Sequence, residues 1–70
     1  MPSGITLQIN GQTRTSAATT VAELVQQMQL KTDRVAVERN GEIVSRGLWA
    51  ETPVAEGDRV EIVHFVGGGI

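Results

Sequence analysis

The chain contains no cysteine. That absence removes a disulfide staple, a thiolate metal site and a thiol nucleophile together. Histidine occurs once, at His64, so an imidazole metal ligand would have neither a second imidazole nor a thiolate beside it. The large aromatics are reduced to Trp49 and Phe65. There is no basic run either: six basic and eight acidic residues are scattered for a net charge of -2. Phosphate neutralisation needs clustered Lys and Arg, which argues against nucleic acid as a partner. No stretch approaches the ~20 apolar residues of a membrane span. The opening Met1-Pro2-Ser3-Gly4 has neither a charged n-region nor an apolar h-region, so the expected location is cytoplasmic, away from membranes.

What remains describes one small folded unit. A chain of 70 residues buries only about 60% of its unfolded surface. One modest core fits, with no room for a pocket lined by a catalytic constellation, which weighs against an enzyme. The hydrophobic content of 40%, with regular periodicity, argues for a folded domain over disorder. The expected division is a single domain over 1–66 and a flexible glycine-rich tail over 67–70.

Ile5, Leu7 and Ile9 alternate with Thr6, Gln8 and Asn10, the period-2 pattern of a strand with one buried face. Asn10-Gly11 tolerates the positive φ values of a two-residue hairpin turn, so Gln12 to Ser16 is expected to return antiparallel as a mostly polar strand. Thr20-Val21-Ala22-Glu23 reads as a capping box, in which the Thr20 hydroxyl accepts from the Glu23 N–H and the Glu23 carboxylate reaches back to the Thr20 N–H. Val21, Leu24, Val25 and Met28 then form one apolar helical stripe, and Leu30 closes the core just past the helix end.

Val35 and Val37 restart the strand pattern, Asn40-Gly41 supplies a second hairpin turn, and Ile43-Val44 begins the return. The segment from Arg46 to Pro53 has no clean period and reads as an irregular crossing with room for one short helical turn. Trp49 is expected to anchor that crossing to the core edge. Glu56-Gly57-Asp58 is a turn, and Arg59 to Val66 is the final strand, with Val60 and Ile62 on one face and Glu61, Val63 and Phe65 on the other. Two apolar faces place that strand in the middle of the sheet. Val63 and Phe65 then stand on the open face as docking residues, and His64 lies half exposed near the strand's exit. The element order implies a two-layer α+β fold, a mixed four- to five-stranded sheet with one main helix on one face. A β-grasp is the natural solution, since its crossover is right-handed.

The strand runs out into Gly67-Gly68-Gly69 before Ile70. Glycines at a chain end add nothing to a core, but three of them span roughly 10 Å at about 3.3–3.6 Å each. Such a tail can carry a carboxylate into a narrow active site of another protein. A frayed end is the alternative reading of the same residues.

The chain also resembles a known family. The carriers of the likeness are Ile9-Asn10-Gly11, Thr20-Val21-Ala22-Glu23-Leu24, Val35 through Val44, Trp49, and Gly57 through Gly69. Together they resemble the sulfur carrier proteins of thiamine biosynthesis, the ThiS family, which has a ubiquitin-like β-grasp fold. The small subunit of molybdopterin synthase shares a terminal diglycine but approaches it through a proline that is missing here. The resemblance implies a carrier rather than an enzyme, with no catalytic residue, bound cofactor or metal of its own. A partner activating enzyme would use ATP to adenylate the Gly69 carboxylate, a sulfur donor protein would convert it to a thiocarboxylate, and thiazole synthase would take the sulfur. Gly67 and Gly68 would thread the tail into both enzymes, and the free carrier would be a monomer. Ile70 departs from the pattern, because such carriers work with a C-terminal glycine. A protein modifier joined to lysines and an interaction module with an inert tail remain as alternatives.

Overall fold

A computed structural model describes residues 4–29 and 34–64. Leu30, Phe65 and the Gly67–Ile70 tail, to which the sequence assigns roles, lie outside the described residues. Strand β1 (Ile5–Ile9) turns at Asn10-Gly11 into β2 (Gln12–Ser16), followed by helix α1 (Val21–Gln27). Then β3 (Val35–Arg39) turns at Asn40-Gly41 into β4 (Glu42–Val44), a 3-10 helix covers Arg46–Glu51, and β5 (Arg59–His64) ends the series.

Both hairpin turns rest on the same backbone requirement. Asn10 and Gly11 have φ of 52° and 82°, and Asn40 and Gly41 have φ of 52° and 87°. Two successive positive φ values suit asparagine followed by glycine, and their twist matches that of the flanking strands. The hairpins therefore close in tight register, with Ile9 opposite Gln12 and Arg39 opposite Glu42.

The strand order is β2-β1-β5-β3-β4. β5 is central, parallel to β1 through Gln8↔Arg59 and Ile9↔Val60, and antiparallel to β3 along five residue pairs from Val35↔His64 to Arg39↔Val60. One face of this five-stranded sheet carries Leu7, Ile9, Val35, Val37, Val60 and Ile62, all buried with Val21, Leu24 and Val25 of α1 in one core. Seven helical residues are too few to hold a helix in water alone. Burying each of these Leu and Val side chains stabilises by about 1.5–3 kcal/mol, and that packing keeps α1 folded.

The start of α1 differs from the expected capping box. Thr20 does cap, its hydroxyl accepting from the Glu23 N–H at 3.2 Å. The Glu23 carboxylate, however, accepts from the N–H and hydroxyl of Thr19, at 2.8 and 2.9 Å, rather than from the Thr20 N–H. Thr20 is extended and bridged to Pro53, and one residue earlier Thr19 offers two donors where Thr20 would offer one. These bonds, the backbone N–H of Thr19 first, hold the Glu23 carboxyl below its ordinary pKa. The expected stripe forms: α1 ends at Gln27, Met28 is its half-buried C-cap and packs against the core, and Gln29 closes the helix at φ 60°. Trp49 occupies the core edge, 5% exposed, with Nε1 donating to the Val44 carbonyl at 2.9 Å and Arg46 lying 5.6 Å over its ring. The irregular crossing is thus a 3-10 helix pinned from inside.

Candidate functional site

The residues expected to act lie on β5 and beyond it, so the construction of β5 comes first. Its start is held by Asp58, 7% exposed. Asp58 Oδ2 accepts from Arg39 Nε and from the Ala55 N–H, each at 2.8 Å, and Oδ1 accepts from Asn40 Nδ2 at 3.1 Å. Burial pushes this carboxyl's pKa up, but the Ala55 N–H, the Asn40 amide and the Arg39 guanidinium outweigh it, and the net direction is down.

The two turn asparagines then grip β5 from opposite edges. Asn40 Oδ1 accepts from the Arg59 N–H at 2.9 Å while its own N–H donates to the Arg59 carbonyl at 2.7 Å. On the other edge, Asn10 Oδ1 accepts from the Ile62 N–H at 2.7 Å and Nδ2 donates to the Ile62 carbonyl at 3.1 Å. The β1 ladder stops at Ile9↔Val60, so the Asn10 side chain substitutes for a further strand residue there. Each hairpin lends its turn to the strand that leads toward the glycines.

Register divides the open face of the sheet into two halves. β2 and β1 present Thr13, Thr15, Thr6 and Gln8, which are polar and uncharged. β5, β3 and β4 present Val63 opposite Ala36, and Glu61 opposite Glu38, which is itself opposite Ile43. Val63 is 52% exposed and Ile43 77% exposed. A shallow groove of ≈ 100 Å³ runs among Ala36, Val37, Glu38, Ile43, Glu61 and Val63. His64, on the side of Val35, is exposed rather than half exposed.

Val63 is therefore on the face expected of it, while Phe65, Gly67, Gly68 and Gly69 fall outside the described residues. Sequence reasoning missed Asn10, Asn40 and Asp58 as clamps. The Asn-Gly pairs were read for backbone φ alone, and the partners of Asn10 lie 52 residues away. It also passed over Ile43. A signal was available there, since adjacent Ile43 and Val44 point to opposite faces and one of them has to leave the core.

A five-stranded mixed sheet with one helix on one face, its first and last strands parallel neighbours at the centre, is the ubiquitin-like β-grasp class. The crystal structure of a thiamine biosynthesis protein (ThiS) from Geobacter metallireducens superposes with a TM-score of 0.80 at 35% identity, covering 93% of this chain and 100% of that one. The sequence model of the ThiS family matches residues 7–69, and the chain belongs to that family. The sulfur carrier protein ThiS of Bacillus subtilis is 44% identical over 50 residues, which are 71% of this chain and 76% of that protein. A thiazole synthase of Paramagnetospirillum magneticum is 47% identical over 64 residues. That match takes in 90% of this chain but spans only 20% of the synthase's length.

Proposed function

We propose that this chain is a sulfur carrier of thiamine biosynthesis whose reactive group is the carboxylate of Gly69. The observation that carries the reading is the extent of the family match, which runs through Gly67-Gly68-Gly69 and stops before Ile70. A carboxylate is a poor electrophile. An activating enzyme therefore joins it to the AMP part of ATP, releasing pyrophosphate; the outer sulfur of a persulfide on the donor protein displaces AMP to give an acyl disulfide, and a partner thiol cleaves that S–S bond, forming a disulfide with the donor sulfur and leaving the thiocarboxylate. Thiazole synthase takes the sulfur from there. The likeness to about a fifth of a thiazole synthase supports that partner, since a carrier-like stretch and the synthase share one chain in that relative.

The chain's own contribution is positional. The Asn10, Asn40 and Asp58 bonds fix β5, Val63 and Phe65 dock on the partner, and the glycines enter its channel. The carrier acts as a co-substrate; ATP is bound and spent by the activating enzyme. Its working form ends at Gly69. Ile70 would put a β-branched side chain, stiff at χ1, at the reacting end and move the carboxylate up to about 3.6 Å further along.

The test offers versions ending at Gly69 and at Ile70 to the activating enzyme with ATP and measures pyrophosphate exchange. Exchange confined to the Gly69 form is expected, and intact mass after adding a sulfur source rises by the difference between sulfur and oxygen. Equal exchange by both versions refutes the assignment of Gly69. A ladder of lysine adducts in cell extracts would point instead to a protein modifier.

A further inference from the structure

The unexplained feature of the open face is a pair of like charges. Glu38 and Glu61 stand directly opposite each other on β3 and β5, where cross-strand Cβ atoms are about 4.5–5.5 Å apart and like charges destabilise the pairing. Among the described residues neither carboxylate belongs to an ion pair; Arg39–Asp58 is the pair that forms. Arg59 shares their face and lines a second hollow together with both glutamates, Asn40 and Gly41, without pairing with either carboxylate. The side toward Ile43 and Val63 has no described cation among its lining residues. On that side the two carboxylates stand beside exposed apolar side chains and are open to a cation from outside the described residues.

We propose that the groove between Ile43 and Val63 seats an arginine side chain of the activating enzyme, with its guanidinium held between Glu38 and Glu61. The inference rests on the carrier reading above and names the chemistry of the partner surface. Charge complementarity selects a cation. Arginine fits better than lysine because its planar fork donates to two acceptors at once, whereas an ammonium acts as a point charge. Its aliphatic stem covers Ile43 and Val63, which a bare ion would leave in water. The groove also lies on the strand that leads toward the glycines, so the contact that recognises the carrier also aims its tail. The neutral Thr and Gln half of the sheet offers no such seat.

The full chain and its Glu38→Gln/Glu61→Gln double variant are titrated into the activating enzyme by calorimetry at low and high salt, and both are melted alone. The expected variant melts at or above the wild-type temperature, because a repulsion is gone. It binds roughly tenfold or more weakly at low salt and loses most of the wild type's salt dependence. Equal affinity and equal salt dependence overturn the inference and leave the carrier reading standing. A variant that melts lower also overturns it, since the pair is then structural. If the wild type itself does not bind the enzyme, the carrier reading falls and takes the arginine seat with it.

Discussion

Removing the side chain of Asn10 tests the construction of β5 directly. Its amide makes two bonds to the Ile62 backbone, at 2.7 and 3.1 Å, beyond the last residue pair of the β1 ladder. Each bond has a net worth of about 0.5–1.5 kcal/mol, so Asn10→Gly, which keeps the turn's backbone freedom, loses about 1–3 kcal/mol. Asn10→Ala loses the same bonds and must also hold φ 52° with a Cβ, at a further cost of about 1–2 kcal/mol. Against a total stability of about 5–15 kcal/mol this is large, and each kcal/mol moves the melting point of so small a domain by about 4–8 °C. Urea unfolding followed by Trp49 fluorescence measures both losses, and amide hydrogen exchange locates them. The Ile62 N–H exchanges faster in both variants, while the Val60 carbonyl remains bonded to the residue-10 N–H. An Asn10→Gly protein as stable as the wild type, with an unchanged Ile62 amide, refutes the clamp.

Asp58→Ala removes three accepted bonds and leaves Arg39 beside a half-buried gap, and the expected loss near neutral pH is about 3 kcal/mol. Because the folded Asp58 pKa is lowered, its contribution is present above the unfolded value of about 3.9 and disappears as pH falls through the folded value. Urea midpoints of wild type and variant should therefore converge in acid; a gap independent of pH contradicts the assignment. Trp49→Phe removes the indole bond to the Val44 carbonyl and should cost about 0.5–1.5 kcal/mol by urea unfolding, whereas an unchanged midpoint means that this bond contributes nothing net. Gly68→Ala should leave the melting curve unaltered yet sharply slow pyrophosphate exchange, and normal exchange would refute the narrow-channel argument.

Local pattern carried most of the fold. Alternation defines β1, β3 and β5, the Asn-Gly pairs mark both hairpins, and the two apolar faces read over Arg59 to Val66 correctly put β5, described as Arg59–His64, in the centre. Local pattern failed where partners are far apart in the chain. Asp58 reads as a turn residue because nothing near it reveals that Arg39 and Asn40, 19 and 18 residues away, arrive at its carboxylate. Glu23 was paired one residue too late because the bridge between Thr20 and Pro53 cannot be read from either segment alone. The opposition of Glu38 and Glu61 likewise depends on the register of strands separated by the whole 3-10 crossing. The glycine tail is the reverse case, since its meaning lies in residue type and order.

The central position of β5 also has a mechanical side. A strand at a sheet's edge can be peeled away one bond at a time, like a zip. β5 is flanked by β1 and β3, so tension applied along the chain beyond His64 loads the bonds of both ladders in shear, many at once. On the proposed function, a partner drawing the tail inward would pull against a strand held along both edges.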